Sequence, residues 1–213
     1  MEFLEQNLAN YIVAHTSESD ILLQELERET NLKVLMPRMI SGHFQGRVLS
    51  MLSKMIRPKN ILEIGTYTGY SALCLAEGLT PEGQLLTIDI NAELSDLVQK
   101  YFQKSSYKNQ LKYINANAME YLKSIEGFFD IVFIDADKEN YQQYYDMIID
   151  HVVPGGYIIA DNVLWSGKVL EPLQKNDFST KVLLEYNELL KNDSRVETVL
   201  LPIRDGLTVS RVL

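Results

Sequence analysis

Acidic and amide side chains stand directly after two apolar runs in the second half of the chain. The run at 130–134 is followed by Asp135, and the run at 157–160 is followed by Asp161 and Asn162. Both runs read as buried strands. Because ligands bind where the carboxyl ends of parallel strands meet, we expect these side chains to lie close together at one edge of a sheet.

Two carboxylates about 4 Å apart repel by about 4 kcal/mol at an effective dielectric constant near 20. A proton, a basic side chain or a cation must offset that repulsion. Oxygen ligands without Cys or His suit Mg²⁺, with Ca²⁺ or Mn²⁺ as possible substitutes. We therefore predict a metal site at Asp135, Asp161 and Asn162, with positions left open for a substrate. The alternative is that the acids cap helices or pair with Lys138, and capping is equally expected for Asp137.

Lys138 stands three residues after Asp135. A divalent cation nearby would favour the neutral form of its amine. Lys138 is then a candidate general base, and Asp135 is the second candidate catalytic residue. The alternative is a solvated surface lysine, as most lysines are.

A glycine turn follows the first predicted strand. Residues 65–71 read Gly-Thr-Tyr-Thr-Gly-Tyr-Ser, where Gly65 permits a tight turn and Gly69 opens a helix. The spacing matches neither a dinucleotide fingerprint nor a phosphate loop. Asp89, at the end of the next predicted strand, is placed to accept hydrogen bonds from ribose hydroxyls. The pattern predicts an adenosine ligand without phosphates, and the alternative is a turn and a surface aspartate.

Strand and helix patterns alternate from residue 61 onward. Residues 196–203 and 207–212 flank Arg204-Asp205-Gly206, an Asp-Gly hairpin signal. The alternation predicts an α/β fold with a doubly wound, mostly parallel, Rossmann-like sheet and a C-terminal antiparallel hairpin. The earlier strands are predicted at 61–64, 84–89, 111–115, 130–134 and 157–160, and the helices between and after them at 69–79, 92–103, 118–124, 140–151 and 181–191.

The first 36 residues read as helix, with Ser19-Asp20 capping a second segment. A third helix, from Gln45, ends at Arg57-Pro58. We predict one domain, 1–213, with a helical cap or dimer segment at 1–36 and a cofactor-binding core at 37–213. The apolar face of the first helix comprises Phe3, Leu4, Leu8, Tyr11 and Ile12.

Composition narrows the range of partners. A net charge of −9 over 213 residues argues against nucleic acid and anionic membranes. Cys74 is the single cysteine, so no intrachain disulfide forms, and its helix predicts a core position. No signal peptide is evident, and the apolar stretch 152–165 is broken by Pro, Gly and Asp. These features predict a cytoplasmic protein without a membrane partner.

Aromatic side chains near the acidic residues suggest a substrate pocket. Trp165 and His43 are the candidates for its wall. Core packing is at least as expected for three further aromatic residues, namely Tyr141, Tyr144 and Tyr145.

Several ordered motifs together resemble the cation-dependent O-methyltransferases of the caffeoyl-coenzyme A and catechol type, particularly the small bacterial members. The resemblance runs from about residue 35 to the C-terminus. Its strongest parts are Glu63-Ile-Gly-Thr-Tyr-Thr-Gly-Tyr-Ser71, Asp135-Ala-Asp-Lys138 with Asn140-Tyr141, Gly155-Gly156 followed by Asp161-Asn162 and Leu164-Trp165, and Pro202-Ile203 with Asp205-Gly206-Leu207.

The resemblance implies S-adenosylmethionine as cofactor, metal ligation by the Asp135, Asp161 and Asn162 set, and Lys138 as base. It also implies a homodimer whose N-terminal helices help to cover the active site. The implied cofactor-binding residues are Met39 (through its backbone), Glu63, Gly65, Thr66, Ser71, Asp89, Ala118 and Asp135.

The chain departs from the family pattern at three places. Asn117 stands where an acid is frequent, Arg204 stands where a glycine is common, and 41–47 differs from the plant sequence near the substrate entrance. These departures leave the chemistry in place and argue against plant-type acyl-coenzyme A substrates.

The sequence thus predicts methyl transfer to a vicinal hydroxyl of a small catechol-like aromatic. One alternative acceptor is a hydroxylated tRNA base, which the acidic pI of 4.9 disfavours. A non-catalytic S-adenosylmethionine-binding protein would not need the metal and base set. A nicotinamide oxidoreductase would need the missing pyrophosphate loop.

Overall fold

A computed structural model describes residues 4–213, so Phe3 of the predicted first helix lies outside the described residues. Within that range the α-helices are α1 (Gln6–Ala14), α2 (Ile21–Lys33), α3 (Gly42–Ile56), α4 (Tyr70–Ala76), α5 (Ser95–Lys104), α6 (Ala118–Leu122), α7 (Tyr141–Ile148) and α8 (Phe178–Asn192). The strands are β1 (Asn60–Ile64), β2 (Gln84–Asp89), β3 (Leu111–Asn115), β4 (Phe129–Ile134), β5 (Val152–Asp161), β6 (Val196–Leu201) and β7 (Leu207–Val212).

The strands form one sheet in the order β3-β2-β1-β4-β5-β7-β6. The pairs from β3 to β5 are parallel, while β7 is antiparallel to both β5 and β6. The predicted Rossmann-like sheet with a terminal hairpin is therefore confirmed. The last strand of the chain, β7, inserts beside β5, so β6 becomes the edge.

Both faces of the sheet are covered by helices, as the long apolar strands require. Successive strand residues point to opposite faces. Leu62 and Ile64 accordingly pack in a core with residues of α7 and α8, while Ile61 packs in a second core with residues of α2, α4 and α5. The ends of the parallel strands are thus held between two helical layers.

Several predicted boundaries differ from the structure, and those of β5 and α7 are examples. β5 begins at Val152, five residues before the predicted start at Tyr157. Gly155, at φ +82, and a shift in the β4–β5 register let the strand pass through the Pro-Gly-Gly segment. The predicted helix 140–151 is shorter as α-helix, because 3₁₀ turns occupy 138–140 and 149–151.

The N-terminal helices differ in how they pack. In α2, Asp20 caps the helix as predicted, accepting from the Leu22 amide at 2.9 Å, and Leu26 is fully buried. In α1, Leu8 and Tyr11 are 47% and 61% exposed. The predicted apolar face of α1 is thus left largely uncovered by its own chain. The division into a cap or dimer segment at 1–36 and a cofactor-binding core at 37–213 stays a prediction.

None of the helices within residues 4–213 is long and apolar enough to cross a membrane. Cys74 is fully buried, which confirms its predicted core position.

Candidate active site

The turn after β1 brings the ends of β1 and β4 into close contact. Gly65 has φ +99, and a Cβ there would lie 2.2 Å from the carbonyl oxygen of Asp135. Only glycine fits such an approach. Glycine is therefore required at position 65 because the backbone there touches the end of β4, whether or not a ligand also approaches it.

Glu63 is a fully buried carboxyl on β1. It accepts hydrogen bonds from the hydroxyls of Ser71, at 2.6 Å, and Thr87. The Thr87 hydroxyl also bonds that of Thr66, at 2.5 Å. Burial outweighs these donors and raises the pKa of Glu63 to about 8.

A crevice opens beside this network at the carboxyl edge of the sheet. Sequence reasoning did not name five of its wall residues. Tyr67, Thr68 and Tyr70 lie within the glycine turn at 65–71, whereas no local spacing marks Ile40 and Ser41. The residues that line the crevice are Met39, Ile40, Ser41, Gly65, Thr66, Tyr67, Thr68, Tyr70, Ser71 and Asp135.

Two further predicted cofactor residues, Asp89 and Ala118, are not among the residues that line the crevice. Asp89 accepts from the Tyr67 backbone amide at 2.7 Å, which fixes its carboxylate at the end of β2. Ala118 begins α6 and packs against the core rather than lining the crevice. Asn117 caps that helix by accepting from the Glu120 amide. An amide oxygen serves the cap as well as an acid would.

The acidic residues meet where β4 and β5 end. Ile134 pairs with Ala160 in the register, so Asp135 and Asp161 follow on adjacent strands. Asp161 is only 4% exposed. Burial, and then the Asp135 carboxylate, raise the pKa of Asp161 well above its usual range. The strand register thus places the two acids at adjacent strand ends, as the sequence predicts.

Asn162 adopts a left-handed backbone, with φ +60. The backbone amide of Asn162 donates a hydrogen bond to the Asp161 carboxylate at 2.7 Å. Asn tolerates this conformation better than most residues, so local backbone geometry also favours Asn here. Within residues 4–213, no group of three His, Cys, Asp or Glu side chains is arranged to hold a metal. The predicted third ligand is an amide, which such a group does not include.

Lys138 is held inside the site. Its side chain is 10% exposed and donates to Asp135 at 3.0 Å and to the Tyr141 hydroxyl at 2.8 Å. The interpretation of Lys138 as a solvated surface lysine is therefore wrong. Tyr141 in turn donates to the Asp161 carbonyl at 3.0 Å, so it links both strand ends.

The other aromatic candidates pack in or against the core. Tyr141, Tyr144 and Tyr145 are buried in the core, as the alternative interpretation held. Trp165, also packed on that core, follows Asn162 in a loop with positive φ at both residues.

His43, predicted for the pocket wall, and Asp137, for which a helix cap was an alternative, are also located by the structure. His43 lies in the first turn of α3 and is half-buried. Asp137 makes no capping bond and instead accepts from Tyr144 at 2.7 Å.

Two residues outside the predicted set reach the same region from distant elements. Gln45 of α3 donates to the Asp161 carboxylate at 2.7 Å. Arg204, in the β6–β7 turn, donates to the carbonyls of Ile40, at 2.8 Å, and Ser41. No periodicity or motif in the sequence signals either contact.

The fold and site together define the class of protein: an α/β protein with a crevice beside buried acids at the carboxyl ends of its parallel strands. A family model described as O-methyltransferase matches residues 13–213. The chain thus belongs to the O-methyltransferase family and is an enzyme that transfers a methyl group from S-adenosylmethionine to oxygen.

Individual relatives agree with this assignment. Caffeoyl-CoA O-methyltransferase 1 of Eucalyptus globulus is 34% identical over 212 residues, covering 92% of this chain and 86% of the relative. The O-methyltransferase from Bacillus cereus in complex with SAH has a TM-score of 0.89 at 26% identity, covering 97% of each chain. SAH-bound PaMTH1 of Podospora anserina has a TM-score of 0.88 at 27% identity, covering 98% of this chain and 94% of that one.

Proposed function

We propose that this enzyme methylates one hydroxyl of a small catechol-like aromatic with the help of a divalent cation. The observation that carries the proposal is the Asp135, Lys138 and Asp161 group at the ends of β4 and β5. Asp161 is buried there beside a second carboxylate, and Lys138 already donates to Asp135. A buried carboxylate beside a second, partly exposed one, with an adjacent amine, suits cation-assisted proton removal.

The crevice suits the proposed cofactor. Its walls include the backbone at Met39 and the Ser71 hydroxyl, with the buried Glu63 carboxyl behind Ser71. Asp89 stands at the end of β2, where a carboxylate meets ribose hydroxyls in folds of this kind. We assign cofactor binding to these residues together with Gly65, Thr66, Ala118 and Asp135.

The donor set fits a hard cation. Asp135, Asp161 and the side chain of Asn162 offer oxygen ligands, which Mg²⁺, Mn²⁺ and Ca²⁺ prefer. Burial leaves Asp161 with a strong need for a positive partner, since its charged form is disfavoured. When bound, the cation would supply Lewis acidity toward an acceptor hydroxyl.

Lys138 is the residue placed to receive a proton. Its amine is fixed by Asp135 and the Tyr141 hydroxyl, so its direction is set before substrate arrives. The acceptor oxygen loses its proton to Lys138 and then bonds the methyl carbon. The bond from that carbon to sulfur breaks, and its electron pair stays on sulfur. Alignment of the two reacting atoms supplies much of the acceleration.

The same group of side chains supports the proposed acceptor class. Two adjacent hydroxyls can both face a cation held by three protein ligands. Trp165 and His43 are the side chains we assign to the pocket wall. The caffeoyl group in the name of the Eucalyptus globulus relative is itself a catechol. The net charge of −9 favours a small acceptor over a tRNA base.

The test is methyl transfer to a panel of catechols with Mg²⁺, then with chelator, then with Mg²⁺ restored. We expect turnover that disappears with chelator and returns with the metal. Turnover unaffected by chelator would contradict the role of the cation. If S-adenosylmethionine binds but no catechol is methylated, the catechol proposal fails and tRNA becomes the acceptor to assay.

A further inference from the structure

Gln45 is a buried amide that reaches Asp161 from a different layer of the fold. It lies in the first turns of α3 and is completely buried. Its Nε2 donates to Oδ2 of Asp161 at 2.7 Å, and the Asn162 amide donates to Oδ1 at 2.7 Å. Each oxygen of the Asp161 carboxylate therefore accepts a hydrogen bond. The donor to Oδ2 is the Gln45 side chain, and the donor to Oδ1 is the backbone of Asn162.

The other end of the Gln45 amide lacks a donor. Oε1 is buried and has no hydrogen-bond partner among the described residues. An unsatisfied buried acceptor costs about 1–3 kcal/mol, so such an atom is a place where a ligand's donor group would be stabilised. Because Nε2 is engaged with a carboxylate, the amide cannot turn over without placing its own oxygen against Asp161.

We propose that Gln45 is a positioning and specificity residue of this site. Its Nε2 holds the Asp161 carboxylate in place for the cation, and its Oε1 accepts a hydrogen bond from a hydroxyl of the methyl acceptor. The inference rests on the proposed function, because it requires both a cation and a hydroxylated acceptor.

A catechol brings the donor that Oε1 lacks. One hydroxyl gives its proton to Lys138 and becomes the nucleophile, while the second hydroxyl keeps its proton. That second hydroxyl is the group that donates to Gln45. A site that hydrogen-bonds a hydroxyl discriminates strongly against analogues that lack it. Gln45 thus selects acceptors with two adjacent hydroxyls.

The test compares wild type with Gln45→Met, which keeps the side-chain length and loses both hydrogen bonds. Mn²⁺ binding is measured by electron paramagnetic resonance without acceptor, and cofactor binding by calorimetry. Partners of metal ligands affect metal affinity by about 10–100-fold, so we expect Mn²⁺ affinity to fall within that range. The KM for catechol should rise about tenfold through the lost hydrogen bond, and S-adenosylmethionine affinity should stay within twofold.

Gln110→Met is the matched control. Gln110 is a part-buried residue whose side-chain amide donates to the carbonyls of Thr80 and Gly83. It lies just before β3, at the amino ends of the parallel strands and away from Asp161. It should leave Mn²⁺ affinity and KM unchanged. If Gln45→Met does not fold, Gln45→Asn shortens the reach by one methylene and should change the same two constants in the same direction.

The outcomes separate the inference from the proposed function. If wild type shows cation-dependent turnover but Gln45→Met keeps wild-type Mn²⁺ affinity and KM, the role of Gln45 is overturned. If only Mn²⁺ affinity falls, the hydrogen bond to the acceptor is overturned. If wild type neither binds Mn²⁺ nor depends on a metal, the proposed function itself fails before any variant is considered.

Discussion

Glu63 is a carboxyl that burial keeps protonated near neutral pH. Its pKa is about 8 in the folded chain, against 4.5 for an ordinary glutamate. A raised pKa means that its contribution to stability is complete below pH 4.5 and is lost as the pH rises toward 8. The hydroxyls of Ser71 and Thr87 do not supply enough stabilisation to reverse this.

Glu63→Gln should therefore become the more stable form as the pH rises. Gln imitates the protonated carboxyl and cannot ionise. We expect the difference in unfolding free energy between wild type and variant to shift by on the order of a few kcal/mol between pH 5 and pH 8. Urea unfolding at several pH values measures it. A difference that stays constant over this range would contradict the raised pKa.

Asp161→Ala should remove cation-dependent turnover while cofactor binding survives. The Asp161 carboxylate lies beside Asp135, and Asp161 is not among the residues that line the crevice proposed to hold the cofactor. Activity should fall by about 100-fold or more, because this variant removes a proposed metal ligand and not merely a hydrogen-bond partner of that ligand. Asp130→Ala is the control, because Asp130 accepts from the Lys59 and Asn60 amides at the opposite strand ends. Full activity in Asp161→Ala would refute the metal assignment.

At the scale of elements, a partly buried ionic cluster joins α3 to Glu77 at the end of α4. Glu77 accepts from Arg47 at 2.5 and 3.0 Å, from Lys54 at 2.7 Å and from Ser50 at 2.7 Å. Burial alone would raise its pKa, but these donors lower the pKa of Glu77 to about 2. The cluster therefore stabilises the fold above pH 4.5 and loses that effect as the pH falls toward 2.

Glu77→Gln should destabilise the protein by about 2 kcal/mol at pH 7, because it leaves partly buried cations without their carboxylate. The deficit should shrink as the pH falls below 4.5. Denaturant unfolding measures both effects. Glu120→Gln breaks the exposed pair with Lys123 and should cost less than about 1 kcal/mol. Equal losses in the two variants would show that the Glu77 cluster contributes no more than a surface pair.

The β6–β7 turn holds the segment that forms one wall of the crevice. Arg204 donates to the carbonyls of Ile40 and Ser41, both of which line the crevice. Arg204 itself has φ +50, a conformation that glycine adopts without strain. The substitution Arg204→Gly therefore removes the guanidinium while keeping the turn.

Arg204→Gly should increase hydrogen exchange in residues 37–41 and weaken S-adenosylmethionine binding about threefold to tenfold. Exchange mass spectrometry and calorimetry are the measurements. Arg57→Gly is a matched control, because Arg57 also has a left-handed backbone, at φ +55, but ends α3 on the exposed surface. Unchanged hydrogen exchange and unchanged affinity in Arg204→Gly would show that the hydrogen bonds from Arg204 do not position residues 37–41.

At the scale of the whole molecule, the N-terminal region leaves apolar surface uncovered. Monomeric proteins rarely expose large contiguous apolar patches. The homodimer implied by the family resemblance stays a prediction, and these side chains are where we expect its interface. The exposed apolar residues of this region are Leu8, Tyr11, Val13, Ile21, Leu32, Leu35, Met36 and Met39, and α3 adds Met51 and Met55.

Sedimentation equilibrium should give twice the chain mass of 24.4 kDa. Leu35→Glu should shift the equilibrium toward monomer, because Leu35 is 92% exposed and a charge there would be buried in the dimer. Phe128→Glu, at the opposite edge of the sheet, should have no such effect. A monomer at all concentrations in wild type would refute the dimer.

The order of elements and the place of the acids could be predicted from sequence. Helix and strand leave periods of 3.6 and 2 in the pattern of apolar residues, and parallel strands end at one edge. The sequence therefore predicts that Asp135 and Asp161 are neighbours, although they are 26 positions apart. The hairpin was predicted from Asp205-Gly206, because its turn is local.

Only the tertiary structure decided which distant side chains complete the site. Gln45 and Asp161 are 116 positions apart, and Arg204 and Ile40 are 164 apart. Such contacts depend on how α3 and the β6–β7 turn pack against the sheet, which no local period records. The insertion of β7 between β5 and β6 is of the same kind, since a hairpin signal fixes the turn but not which strand faces the sheet. Sequence periodicity determines elements, while packing between elements determines the partners of their side chains.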